Sequence, residues 1–322
     1  MSAKSRSTLA ALALGLMAST VSAYPDKPVS VIVPFAPGGS SDNVARTIGP
    51  ALAEKLGQSF VIDNVSGAGG VLGTQKAVRS NADGYTVLLG SGSEILINKL
   101  INPKLPYDGT KDLAPVAMVA TGPMVLLAKP DLPANTIPEL IKLAHAKPGA
   151  LSYGSAGNGT PMNVAGELFK MRSKSFITHI PYRGAAPALA DLMGGQIDVA
   201  VSTLSAAQPH IKSGRVKALA TTGAKSTNLA PEIPAMGSIR GLEGFDLNVW
   251  FGLFVPAKTP ADVIQKIEAA AQQVISDPAV RKRLADQGIE AVAGSAEDLR
   301  KFVNNEIKVY APVIKAANIS AQ

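Results

Sequence analysis

Two stretches of this chain put glycines and hydroxyl side chains where a short β-branched run gives way to a helical pattern. The first, PFAPGGSSDNVAR over residues 34–46, follows Ala36 and Pro37 with Gly38 and Gly39, whose amides can approach a ligand, then with Ser40 and Ser41 as hydroxyl donors. The second, YGSAGNGTPMNVAG over residues 153–166, repeats the order with Ser155, Gly157, Asn158, Gly159, Thr160 and Asn163. The first amides of a helix have no partner inside it, and the positive end of the helix dipole lies beside them, so both stretches suit a bound anion. A dipole contributes only about 0.3–1 kcal/mol at an exposed helix end. Hydrogen bonds to a charged ligand, about 1.5–3 kcal/mol each, must therefore supply most of the roughly 8 kcal/mol that micromolar binding takes. Several converging donors are required, and two such loops on opposed lobes would form natural pincers. Either loop taken alone also reads as a tight, capped turn.

Two further strand ends read equally as cleft donors or as helix caps: Ser91 with Ser93 after the run 85–89, and Ser202 with Thr203 after the run 197–201. Asp42 reads as an orienting cap, a general base or a partner for a ligand ammonium. Catalytic signatures are poorly represented. The three histidines, His145, His179 and His210, lack the HExxH spacing of a zinc helix, and the chain has no cysteine. Ser155 lies in YGSAG, where Tyr153 occupies the first glycine position of a nucleophile elbow. A triad assembles only in space, so a secreted serine hydrolase using Ser155 or Ser91 with a distant histidine stays as the alternative. The glycine-rich SGAGG over 66–70 fails the dinucleotide pattern, because Leu72 stands where its third glycine belongs. No cofactor and no metal are expected.

Positioning these loops takes two series of alternating strands and helices, the pattern of βαβ units. In the first, strands over 28–34, 60–62 and 85–89 enclose helices over 41–56 and 71–80. The first helix carries Val44, Ile48, Leu52 and Leu56 on one face and stops at Gly57. The second series starts near residue 123, with helices over 137–146, 161–171 and 185–193 and strands over 151–153, 177–180, 197–201 and 216–221. A strand-like run over 247–255 holds the single tryptophan, Trp250, and after it the pattern is helical over 260–275, 278–287 and 296–316, with no strands of its own.

The expected fold class is α/β and two-lobed, each lobe a mostly parallel sheet flanked by helices. Residues 24–122 and 252–322 would form a discontinuous first lobe and 123–251 the second. The crossings near Val119–Val125 and Leu247–Val255 would serve as a hinge.

The N-terminus carries an address. Lys4 and Arg6 precede an apolar run over 9–17 that ends in Val21, Ser22 and Ala23, which reads as a secretory signal cleaved after Ala23. That run is far shorter than the roughly 20 residues of a bilayer span. The remaining chain of about 300 residues exceeds what one core normally organises. With 31 Lys and Arg against 24 Asp and Glu the chain is mildly basic, but its densest cluster, Arg281 to Arg283, is short and aromatics are sparse, so no nucleic-acid partner is expected. A monomer in the periplasm is expected.

In the order and spacing of its motifs the chain resembles the periplasmic substrate-binding receptors of tripartite tricarboxylate transporters, often called the Bug family. The resemblance runs from YPDKPVSVIVPFAPGGSSDNVAR through GAGG, ADGYTVLLG, YGSAGNGTPMNVAGELF and PYRGAAPALADLMGGQID to PHIKSGRVKALA, and more loosely to about Tyr310. It implies a two-lobed, type II-like periplasmic binding protein fold, a receptor that closes on a small organic acid (a dicarboxylate, an aromatic acid or an amino acid) and delivers it to integral-membrane transporter subunits. It also implies that loop amides, hydroxyls and water hold the carboxylate, here around Ala36 to Ser41 and Ser155 to Thr160. The segment PEIPAMGSIRGLEGFD departs from the family pattern at Ala235 and Ser238. A sensory partner presenting ligand to a membrane kinase would use the same fold and site.

Overall fold

The computed structural model describes residues 24–320, so the expected leader lies outside the described residues. The chain begins with β1 (Val29–Val33), α1 (Ser40–Leu56), β2 (Phe60–Asn64), a 3-10 turn (Ala68–Gly70), α2 (Val71–Val78) and β3 (Thr86–Gly90). A π-helical turn (Ser93–Ile97) and α3 (Asn98–Ile101) lead to the long β4 (Leu113–Ala128). The second series follows as α4 (Ile137–Ala146), β5 (Ser152–Ser155), α5 (Pro161–Ser173), β6 (Thr178–Pro181), α6 (Ala185–Met193), β7 (Val199–Thr203), α7 (Leu204–Lys212) and β8 (Lys217–Thr221). The chain returns through β9 (Asn248–Pro256) to α8 (Ala261–Ser276), α9 (Pro278–Asp286), β10 (Glu290–Gly294) and α10 (Ala296–Ala316).

Local chemistry explains the ends of these elements. Gly57 closes α1 in the left-handed conformation, at φ 73°, and its N–H returns to Ala53 O. Asp277 caps α9 through its side chain, and Ser295 with Asp298 forms a reciprocal capping box on α10.

Within each series the strands are parallel: β1 pairs with β2 and β3, and β5 pairs with β6 and β7. Among the described residues every antiparallel pair involves β4 or β9. The 16-residue β4 is central twice. Its first part, Leu113 to Pro123, pairs with β9, and β10 joins it opposite Met118 to Thr121. Its last part, Met124 to Ala128, lies between β7 and β8. The two crossing segments anticipated as a hinge are thus hydrogen-bonded to each other.

The core continues through both sheets, with Trp250, Phe251, Leu253 and Phe254 of β9 and Leu88 and Leu89 of β3 all buried. Each such side chain contributes about 1.5–3 kcal/mol by leaving water. Helices α8 and α9 pack on α1, while α10 lies against β4 and reaches α5. Expectation and structure differ in several places: β4 begins at Leu113 rather than near residue 123, and through β4 and β9 both series gain antiparallel neighbours where mostly parallel sheets were expected. The C-terminal portion contains a strand, β10, and a helix, α7, follows β7 without a break. No described helix is long and apolar enough to cross a membrane.

Candidate functional site

Three helices begin at one cavity. The start of α1 brings Gly39, Ser40 and Ser41; α5 brings Thr160, Pro161 and Met162; α6 brings Gly184, Ala185, Ala186 and Pro187. Phe35, Ala36, Pro37, Ser91, Ser93, Ala156, Val249 and Phe251 complete the wall. Helices α1 and α6 both follow a glycine, Gly39 and Gly184, and neither has a side-chain cap. Their first amides therefore stay available to a ligand, beside the positive ends of the two dipoles. Gly184 sits at φ 127°, where a side chain is strained, and a Cβ there would meet nothing within 4 Å. At α5 the cap is internal: Thr160 Oγ1 accepts from the Asn163 N–H at 3.3 Å and donates to Gly157 O at 2.7 Å.

The strand end after β3 adds two hydroxyls of different standing. Ser93 Oγ is buried and has no hydrogen-bond partner in the protein. A buried hydroxyl without a partner costs about 1–3 kcal/mol, so its place in the cavity wall points to a missing acceptor or donor. Ser91 is engaged: its N–H donates to Glu94 Oε1 at 2.6 Å and its Oγ lies 3.1 Å from Oε2. Burial pushes the Glu94 carboxyl from 4.5 up to about 7.

Several residues singled out from the sequence lie outside this lining, for identifiable reasons. Gly38 and Asp42 support the first loop from beneath. The Gly38 N–H donates to Asp42 Oδ2 at 3.0 Å, Arg46 Nε donates to the same oxygen at 2.9 Å, and Asn64 Nδ2 donates to Oδ1 at 3.1 Å. Burial raises the Asp42 pKa, but the hydrogen bonds from Arg46, Gly38 and Asn64 outweigh it and hold the carboxyl below its ordinary value. Asp42 thus ties the turn at Gly38 to Arg46 and Asn64. Gly157 and Asn158 line a neighbouring cavity with the 66–70 turn and Arg183, which shares only Phe35 and Ala156 with the first. Gly159 packs where a Cβ would stand 2.5 Å from Ile101 Cδ1.

Ser155 is fully buried, and its Oγ lies 2.7 Å from His179 Nε2. Asn163 belongs to the same cluster, with its Nδ2 donating to Tyr153 Oη at 3.1 Å and lying 3.4 Å from His179 Nδ1. Thr203 caps α7 by accepting from the Ala206 N–H at 3.4 Å, and Ser202 Oγ is buried in the sheet without a partner. The second glycine-rich loop therefore reaches the cavity through Ala156 and Thr160 rather than through its central glycines.

Sequence reasoning missed the α6 start. Its signal was the strand–glycine–helix order of PYRGAAP, the same order that marked the other two loops. Among the described residues no group of His, Asp and Glu side chains is arranged to hold a metal ion.

This arrangement has counterparts in known proteins. The chain matches the model of the tripartite tricarboxylate transporter family receptor over residues 44–319. Protein BugT of Bordetella pertussis is 35% identical over 302 residues, spanning 93% of this chain and 92% of its own length. Among solved structures, the periplasmic binding protein BugD superposes with a TM-score of 0.87 at 31% identity, over 93% of this chain and 100% of that one. The R. palustris protein Rpa4515, solved with adipate, gives a TM-score of 0.89 at 32% identity, over 92% and 99% of the two chains. MatC from Rhodopseudomonas palustris, solved with bound malate, gives 0.85 at 32% identity, over 90% and 100%. With three helix starts turned on one cavity and likeness running along nearly its whole length, the chain belongs to the tripartite tricarboxylate transporter receptor family of two-lobed solute-binding proteins.

Proposed function

We propose that this protein captures a small organic acid in the cavity where α1, α5 and α6 begin and delivers it to the integral-membrane subunits of a tripartite tricarboxylate-type transporter. The observation that carries the reading is the convergence of two uncapped helix starts and the unpartnered Ser93 hydroxyl on one cavity. A carboxylate satisfies all of these donors together. Phe35, Met162, Val249 and Phe251 line the rest and suit a hydrocarbon body. Adipate and malate in the related structures support the same class of ligand. No acidic side chain lines the cavity, which favours acids without an ammonium group over amino acids.

In this reading residues 24–122 and 252–322 form one lobe and 123–251 the other, and the lobes close on the acid. The receptor acts as a monomer in the periplasm after its leader is removed behind Ala23. No bond is made or broken. The test is a thermal-shift panel of aliphatic and aromatic acids against the mature protein. Stabilisation by one or a few of them is expected. No shift across the panel, with turnover of ester substrates instead, would overturn the reading in favour of a hydrolase.

A further inference from the structure

A buried carboxyl stands directly behind the cavity. Ser91 faces the cavity, and behind it Glu94, only 1% exposed, folds back to receive the Ser91 N–H. This is the return half of a capping box, Glu94 standing three residues after Ser91, at the start of the π-helical turn Ser93–Ile97. Glu94 Oε2 also lies 3.3 Å from where a Cβ on Gly70 would stand. Burial and the hydrogen bonds of its own and the Ser91 N–H are the main influences on it, and no lysine, arginine or histidine is among them. The titratable group facing it is the buried Tyr107 phenol, whose own pKa Glu94 helps to raise.

The protonation of Glu94 decides what Ser91 offers a ligand. An ionised Glu94 accepts both the amide and the hydroxyl hydrogen of Ser91, so Oγ presents only lone pairs to the cavity. Those lone pairs repel a carboxylate, and the charge behind them does the same in a low dielectric. A protonated Glu94 keeps Oε1 as acceptor for the amide and donates to Oγ from Oε2. The Ser91 hydrogen is then free to point at the ligand.

We infer that Glu94 is the positioning residue for Ser91 and that the receptor takes up a proton there when it binds its acid. The inference rests on the carboxylate site proposed above. The probe is adipate, or malate where adipate gives no thermal shift, titrated calorimetrically between about pH 6.5 and about pH 8.5, where both acids are ionised. In two buffers of different ionisation enthalpy, the heats should report uptake approaching about one proton per acid at the alkaline end, and Kd should rise roughly tenfold per pH unit there. The variant E94Q accepts and donates as the protonated acid does, and its affinity should not change with pH.

Glu306 supplies the control, because burial also pushes its carboxyl to about 7, beside Trp250 and Tyr310. E306Q should retain the slope. If E94Q does not fold, the buffer heats of the wild-type protein and of E306Q decide together, equal uptake in the two being the expected result. A flat wild-type profile without proton uptake, or a slope that survives in E94Q and disappears in E306Q, overturns the inference. Binding without a pH slope removes only this inference, whereas failure of every acid in the panel removes the site reading as well.

Discussion

Ser155 Oγ lies 2.7 Å from His179 Nε2, a serine–histidine contact of the kind that starts a hydrolytic triad. Its surroundings serve a different purpose. The serine is fully buried, the imidazole stacks on Tyr153 at 4.6 Å between ring centres, and the far ring nitrogen faces the Asn163 amide rather than a carboxylate. A nucleophile needs an accessible oxygen and a base held by an orienting acceptor. The contact instead ties the end of β5 to β6 beneath the second glycine-rich loop. Ser155→Ala is expected to lower stability by about 1–2 kcal/mol in urea unfolding and to leave ligand affinity within about threefold. A collapse of affinity in a stably folded variant would contradict this.

His179 should mark the acid side of the stability curve. Burial lowers its pKa from 6.5 to about 4, so the imidazole stays neutral in the folded protein while the unfolded chain is free to charge it. Its contribution is complete above about pH 6.5 and is lost as pH falls towards about 4, with an upper bound of about 3 kcal/mol. His179→Gln should flatten that part of the profile. Urea midpoints at about pH 4.5 and about pH 7.5, compared with the wild-type protein, check it.

Ser93→Ala should separate binding from stability. The hydroxyl is buried without a partner, so its removal should leave the ligand-free protein unchanged or stabilise it by about 1 kcal/mol. Affinity should fall roughly tenfold to a hundredfold, the worth of one hydrogen bond to a charged ligand. Melting temperature and calorimetric affinity, measured on the same preparation, give both quantities.

Ala186→Asp places a carboxylate at the second position of α6, in the cavity wall. A negative side chain at a helix start is worth about 0.3–1 kcal/mol, so the fold should hold or gain. The same charge opposes a bound anion at a cost of several kcal/mol, on the order of a hundredfold or more in affinity. A melting curve that no longer responds to the acid, at an unchanged or raised midpoint, is the expected result.

Asp42→Ala should loosen the first loop. It removes the acceptor of the Gly38 N–H and of one Asn64 Nδ2 hydrogen, while the exposed Arg46 guanidinium turns to water, and a loss of about 2 kcal/mol is expected. Arg46→Ala, at the exposed end of the pair, should cost under about 1 kcal/mol. Because the Asp42 pKa is held below 3.8, its contribution is present above that value and lost as pH falls below it. Urea unfolding of both variants at neutral and acid pH tests the contrast.

Local signals account for most of what could be read in the chain. Helices α4, α6 and α10 begin and end where the periodicity of 137–146, 185–193 and 296–316 places them, because each has a cap or a glycine at an end. Long-range pairing was not legible. The segment 113–122 becomes strand because β9 and β10 lie beside it, and among the described residues the five of β10 have only β4 as partner. Helix α7 was hidden by its start immediately after β7, whose last residue Thr203 is its cap, and by Pro209 within it. At the site, hydroxyls and paired glycines advertised residues 36–41. Ala185 and Ala186 did not, because what they offer is backbone N–H, which composition does not reveal.

The shared β4 strand has a consequence for how such receptors can be recombined. One half of it holds β9 and β10 and the other half holds β7 and β8, so neither side of the molecule owns a complete sheet. A chimera that joins pieces of two relatives inside 113–128 must match every rung of both ladders at once. A junction in the loops after Ala128 and before Asn248 leaves that strand with its native neighbour β9, and should give the better-folded hybrid.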